Sequence, residues 1–118
     1  MMAEEDRKQI GLTEDGRATV ALLTDELGWF DEAQAAGRFA LGYAIRAGVE
    51  PGQTAAPVET RWSPDLFDPS GEIRSLLRAL YPDNVMPVRL MEHFIDEGLR
   101  QITVRVKAGD ANPALYLG

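Results

Sequence analysis

Seven consecutive apolar residues, Phe39-Ala40-Leu41-Gly42-Tyr43-Ala44-Ile45, sit inside a longer segment of helical spacing. A helix with one wet side does not read this way. It must be buried on most sides, by its own chain or by a partner subunit. Ala33, Ala36, Gly37, Ala40, Ala44 and Ala47 give it a small-residue face that permits close approach of another helix, and its polar side is narrow: Gln34, Arg38 and Arg46. This is more apolar face than a small helical monomer needs. A homo-oligomer is therefore expected, with Phe39, Tyr43 and Ile45 at or near the contact.

The rest of the chain arranges itself around that helix as two helix–turn–helix pairs. The first runs from Thr13 to Ala47 and breaks at Leu27-Gly28-Trp29-Phe30-Asp31; the second runs from Pro69 to Gln101 and breaks at Tyr81-Pro82-Asp83-Asn84. Thr13 is a good N-cap, Glu14 and Asp15 suit the positive end of a helix, and Asp31 and Asp68-Pro69 read as the next two starts. Gly28, Gly48 and Gly98 read as stops. Ile73, Leu76, Leu77 and Leu80 repeat at i, i+3, i+4 and i+7 and predict an apolar stripe centred on Leu77. In the last helix Val88, Met91, Phe94, Ile95 and Ile102 form the inner face, with Glu92, Asp96 and Arg100 as an outer ladder. Ile102-Thr103-Val104-Arg105-Val106 alternates and predicts a strand. It would need a partner, either Val58–Trp62 or a strand of another subunit. The expected organisation is mainly α: a disordered tail over 1–9, a single four-helix domain over 10–107 with a short strand element near its C-terminus, and a tail over 108–118 that is docked or disordered.

Charge and composition narrow the chemistry. Nineteen acids against twelve bases leave a net charge of −7, and only Lys8 and Lys107 are lysines. Sequence-independent DNA binding needs clustered cations to neutralise phosphates, so this balance predicts weak, salt-sensitive binding at most. The best cationic pairs are Arg74 with Arg78, four apart on the leucine-patterned helix, and Arg105 with Lys107. Arg38, among apolar residues, reads as a structural arginine tying helices together. Cysteine is absent, which removes disulfides and thiol catalysis and fits a cytoplasmic setting. The N-terminus lacks the basic start and apolar stretch of a signal peptide, and no apolar run approaches the ~20 residues of a membrane span.

No catalytic constellation stands out, and no cofactor is expected. His93 and Glu97 lie four apart, but two ligands do not make a metal site and no HExxH pattern exists. Ser63, Ser70 and Ser75 lie in cap or helix contexts rather than on a nucleophile turn. The carboxylates read as helix surface and caps.

Five short stretches carry a resemblance when taken in order: Ile10-Gly11-Leu12-Thr13, Gly37-Arg38-Phe39-Ala40-Leu41-Gly42-Tyr43-Ala44-Ile45, Glu59-Thr60-Arg61-Trp62 with Phe67, Leu76-Leu77-Arg78-Ala79-Leu80, and His93-Phe94-Ile95-Asp96-Glu97-Gly98-Leu99-Arg100. In that order and spacing the chain resembles the DndE family, small helical proteins of bacterial DNA sulfur modification (phosphorothioation). The resemblance implies an all-helical, non-enzymatic subunit that self-associates as a tetramer, works beside the sulfur-modification enzymes and binds nicked DNA through surface lysines. Two lysines and an acidic balance favour the docking part of that expectation over autonomous DNA binding. The alternative is a ribbon–helix–helix-like regulator or antitoxin, with Lys8-Gln9-Ile10 as the DNA-reading strand and helices 13–27 and 31–47 forming the dimer.

Overall fold

The Thr13 hydroxyl oxygen accepts a hydrogen bond from Gly16 N (3.0 Å) and starts helix α1, Glu14–Ala21. The computed structural model describes residues 6–54 and 59–117. Past Ala21 the helix widens into a π turn, Leu22–Glu26, where Leu27 N reaches back to Leu22 O (2.9 Å). Gly28, at φ 63°, ends it. Helix α2, Ala33–Arg46, closes at Gly48, at φ 78°. Its N-cap is Glu32 rather than Asp31, and no side chain caps it.

The connector holds strand β2, Glu59–Trp62, and a single turn α3, Pro64–Phe67, which starts on Ser63. Helix α4, Glu72–Leu80, follows Gly71. Asp68 is not its N-cap residue, yet its carboxylate accepts from Ile73 N and Arg74 N, so it satisfies the helix start from outside. Helix α5, Pro87–Lys107, spans 21 residues, ~32 Å at 1.5 Å per residue. A 3₁₀ turn, Pro113–Tyr116, closes the described chain.

The expected strand at Ile102–Val106 is the last part of α5, and Gly98 is not a stop. Buried Phe94, Ile95, Leu99 and Ile102 recur at helical spacing, and that burial outweighs the mild strand preference of Thr103, Val104 and Val106. Val104 pays for this by pointing outward, 64% exposed. Instead, strand β1 is Ile10–Leu12, and it pairs antiparallel with β2 (Ile10 opposite Trp62, Leu12 opposite Glu59). Val58, part of the expected strand, lies outside the described residues, as do residues 1–5 of the expected tail.

Of the expected tail, Asp6 and Arg7 are tied to α5, and Lys8 and Gln9 are exposed. The Asp6 carboxylate accepts from Val88 N (3.0 Å) and Arg89 N (2.9 Å), capping α5, whose own N-cap Met86 has no side chain to do so.

The core forms where α2 crosses α5. Ala36, Ala40 and Ala44 are fully buried on α2, and Gly98 meets the Ala40 main chain. At the edge of the same face of α2, Trp62 and Phe67 pack (5.2 Å) over Gly37, where a Cβ would lie 2.9 Å from the Phe67 ring. Arg38 ties the layers, donating from Nε to Phe67 O (2.8 Å). Leu77 is buried, as its stripe predicts, but Leu76 and Leu80 are each 48% exposed, because α5 covers only one edge of α4.

Candidate functional site

The four cations singled out by sequence do not form one patch. Arg74 is consumed by its own helix start: Nε bonds Asp68 Oδ2 at 3.0 Å, and Nη2 bonds Asp68 O at 2.8 Å and reaches Asp65 Oδ1 at 3.5 Å. Burial pushes the Asp68 carboxyl up, but the Ile73 and Arg74 amides and the Arg74 guanidinium outweigh it and hold its pKa below the usual value. Arg78 is exposed on the same helix. Near the end of α5, Arg105 bonds Asp110 Oδ2 (3.1 Å) and the Tyr43 hydroxyl (3.3 Å), while Lys107 is exposed. Helix α4 meets α5 around Phe94, where Tyr81 stacks at 5.4 Å. Arg105 lies 11 residues further on, ~16 Å along the axis.

The expected oligomer contact is partly occupied from within. Phe39, Tyr43 and Ile45 are half-buried. Phe30 stacks on Phe39 at 5.2 Å, and Trp29 meets it edge-on at 6.3 Å. Tyr116, from the C-terminal 3₁₀ turn, then fills the space between Trp29 (5.6 Å), Phe39 (6.2 Å) and Tyr43 (5.4 Å). The Arg105 guanidinium lies over the Tyr116 ring at 4.2 Å, and Arg46 Nη2 donates to Tyr116 O at 2.9 Å. The Tyr116 hydroxyl donates to Asp110 O (2.7 Å). Burial raises the Tyr116 pKa. Sequence reading missed Tyr116, Trp29 and Asp110 here. The usable signal was Asn112-Pro113, an N-cap before proline, since Asn112 Oδ1 accepts from Ala114 N (3.0 Å).

Of the expected outer ladder only Arg100 is exposed; Glu92 and Asp96 are buried. Glu92 is 2% and Asp96 6% exposed, because β1 and α1 dock on that side of α5. Glu92 Oε2 accepts from Gly11 N (2.8 Å) and pairs with Arg7 Nε (3.0 Å). Burial raises its pKa, against the opposing pull of Gly11 and Arg7. Asp96 accepts from the Thr13 hydroxyl (2.6 Å) and pairs with Arg100 (2.9 Å). These carboxylates fasten the N-terminal segment to α5. His93 is likewise satisfied: Nε2 donates to the Glu50 carbonyl at 2.8 Å and holds the connector.

A groove of about 310 Å³ between α1 and α5 is lined by Thr19, Leu22, Arg100, Thr103 and Lys107, with Asp15 at its edge. Another of about 400 Å³ lies at Pro51, Leu80, Tyr81 and Pro82. Among the described residues, no group of three or more His, Asp or Glu side chains is placed to hold a metal ion. No helix among them is long and apolar enough to cross a membrane. Lys8 and Gln9 of the ribbon alternative are exposed, but Ile10–Leu12 is buried and pairs within its own chain.

Fold and surface together define a mainly helical globule with a two-stranded antiparallel sheet. No protein-family model matches the chain, and no curated protein or solved structure does either.

Proposed function

We propose that this chain is a non-enzymatic accessory subunit of a bacterial DNA sulfur-modification system, acting in the cytoplasm as a docking component beside the modifying enzymes. One observation carries the reading: the stretches that resemble the DndE family meet one another in space. Ile10 of the first pairs with Trp62 of the third, and Thr13 bonds Asp96 of the last. Gly37 packs under Trp62 and Phe67, Arg38 bonds Phe67 O, and Ala40 abuts Gly98. Helix α4, bearing the fourth stretch, packs on α5. Segments that resemble the family in order and spacing are here packed on one another. The net charge of −7 favours docking to proteins over holding DNA. Self-association belongs to the same reading.

The test is genetic and chemical. The gene is deleted in its host, genomic DNA is digested to nucleotides, and phosphorothioate-linked dinucleotides are measured by mass spectrometry. Loss of the sulfur signal, restored by a plasmid copy, is expected. An undiminished signal overturns the proposal.

A further inference from the structure

We propose that Trp29, Phe39, Tyr43, Arg46 and Arg105 form a binding site for a tyrosine-bearing C-terminal turn, filled in cis by the chain's own tail and open in trans to the tail of a second copy. The structure shows the occupant seated. Tyr116 enters an aromatic enclosure with ring distances of 5.4 to 6.2 Å, under the Arg105 guanidinium and with its carbonyl held by Arg46. Its neighbours Leu115 and Leu117 are exposed, so the turn is held by one anchor side chain rather than by a buried segment.

The return path depends on one hinge. Helix α5 ends at Lys107, and Gly109 turns the chain back at φ 109°, a conformation that L side chains rarely adopt. Open space surrounds the position a Gly109 Cβ would take, so a substitution there strains the backbone and touches nothing else. A tail released at this hinge keeps its anchor, and the vacated enclosure keeps its shape. The tail of a neighbouring copy satisfies the same bonds, which is the usual logic of exchanged terminal elements. Exchange of this kind would hold whether or not the chain serves DNA sulfur modification.

The experiment uses the full chain and a synthetic peptide of residues Asp110–Leu117, with Trp29 emission as the readout because Trp29 borders the site. The Tyr116→Ala chain should bind the peptide saturably. The same peptide with alanine for tyrosine should not bind. Wild type should bind about tenfold or more weakly, because a tail docked at least ~90% of the time lowers the apparent affinity by that factor. Gly109→Val keeps every side chain of the site and should bind more tightly than wild type, so it serves if Tyr116→Ala fails to fold. Mixing Gly109→Val with Tyr116→Ala chains should give mixed assemblies in native mass spectrometry that the peptide dissolves. Equal binding to wild type and both variants, no binding to a folded variant, or mixed assemblies that resist the peptide would each overturn the proposal.

Discussion

Gly98 on α5 lies against the Ala40 main chain on α2 so closely that a Cβ at position 98 would stand 2.7 Å from the Ala40 carbonyl carbon, closer still to its oxygen. The backbone of one helix therefore fills the space that a side chain of the other would take. Gly98→Ala must push the central pair of helices apart and should destabilise by about 3 kcal/mol or more, at the upper end of overpacking costs. Gly42→Ala is the control: it also sits within a helix, but its Cβ would meet only the Arg46 guanidinium, at 3.3 Å, which a shift of a few tenths of an ångström in that long side chain relieves. It should be neutral or stabilising by up to ~1 kcal/mol through helix propensity. Denaturant melts of both variants check the contrast.

Leu77→Ala should cost on the order of 2–5 kcal/mol, since Leu77 is 1% exposed and its removal leaves a cavity against α5. Arg78→Ala, on the open side of α4, should stay within about 0.5 kcal/mol. A melt in which Arg78→Ala is the more damaging would place the helix a residue out of phase.

Arg74→Ala should behave unlike Arg78→Ala despite the shared charge. It removes the charged partner of the buried Asp68 carboxylate, which keeps only the Ile73 and Arg74 amides, and should destabilise by roughly 1–3 kcal/mol. In DNA titrations, weak salt-sensitive binding should fall with Arg78→Ala and Lys107→Ala, the two exposed cations of the original four. Unchanged binding in that double variant would remove both residues from any DNA surface.

Stability should respond to pH through two carboxylates with opposite signs. Glu92 has a pKa raised above its ordinary 4.5, so the native state holds its proton more tightly. Its contribution is full below about pH 4.5 and is lost as pH rises through the higher folded value. Asp68 is lowered from 3.8, so its contribution is full above about pH 3.8 and is lost as pH falls through the lower folded value. Thermal melts from pH 2 to 7 should show Glu92→Gln losing the decline on the upper side, and Asp68→Asn losing the acid decline. Profiles parallel to wild type for both would refute these assignments.

Much of the helical layout was legible because its signals are local. Thr13, Gly28 and Gly48 act where a cap or a stop needs a particular side chain or a positive φ, and Leu77 sits at the one stripe position that α5 covers fully. The errors share a cause: a neighbour far away in the chain changed the meaning of a local pattern. Gly98 resembles a stop until Ala40 arrives, and Ile102–Val106 alternates like a strand until the core closes over Ile102. Glu92 and Asp96 look like a solvated ladder until β1 and α1 dock on them. Leu76 and Leu80 err in the other direction, with an apolar stripe wider than the partner available within the chain. The C-terminal anchor was hidden because one tyrosine in a short tail has no periodicity to betray it.

The Asp6 cap on α5 has a consequence for how the chain comes to be folded. Strand β1, helices α1, α2 and α4, and the first described residues all rest on α5. In synthesis from the N-terminus, α5 leaves the ribosome after α1, α2 and α4. Until it emerges, the apolar helix at 33–46 lacks its main partner and the Asp6 carboxylate has no helix start to cap. Nascent chains stalled before residue 87 should therefore be protease-sensitive throughout and protected only as one unit once α5 is free, so that the chain matures in a single late event rather than by successive additions.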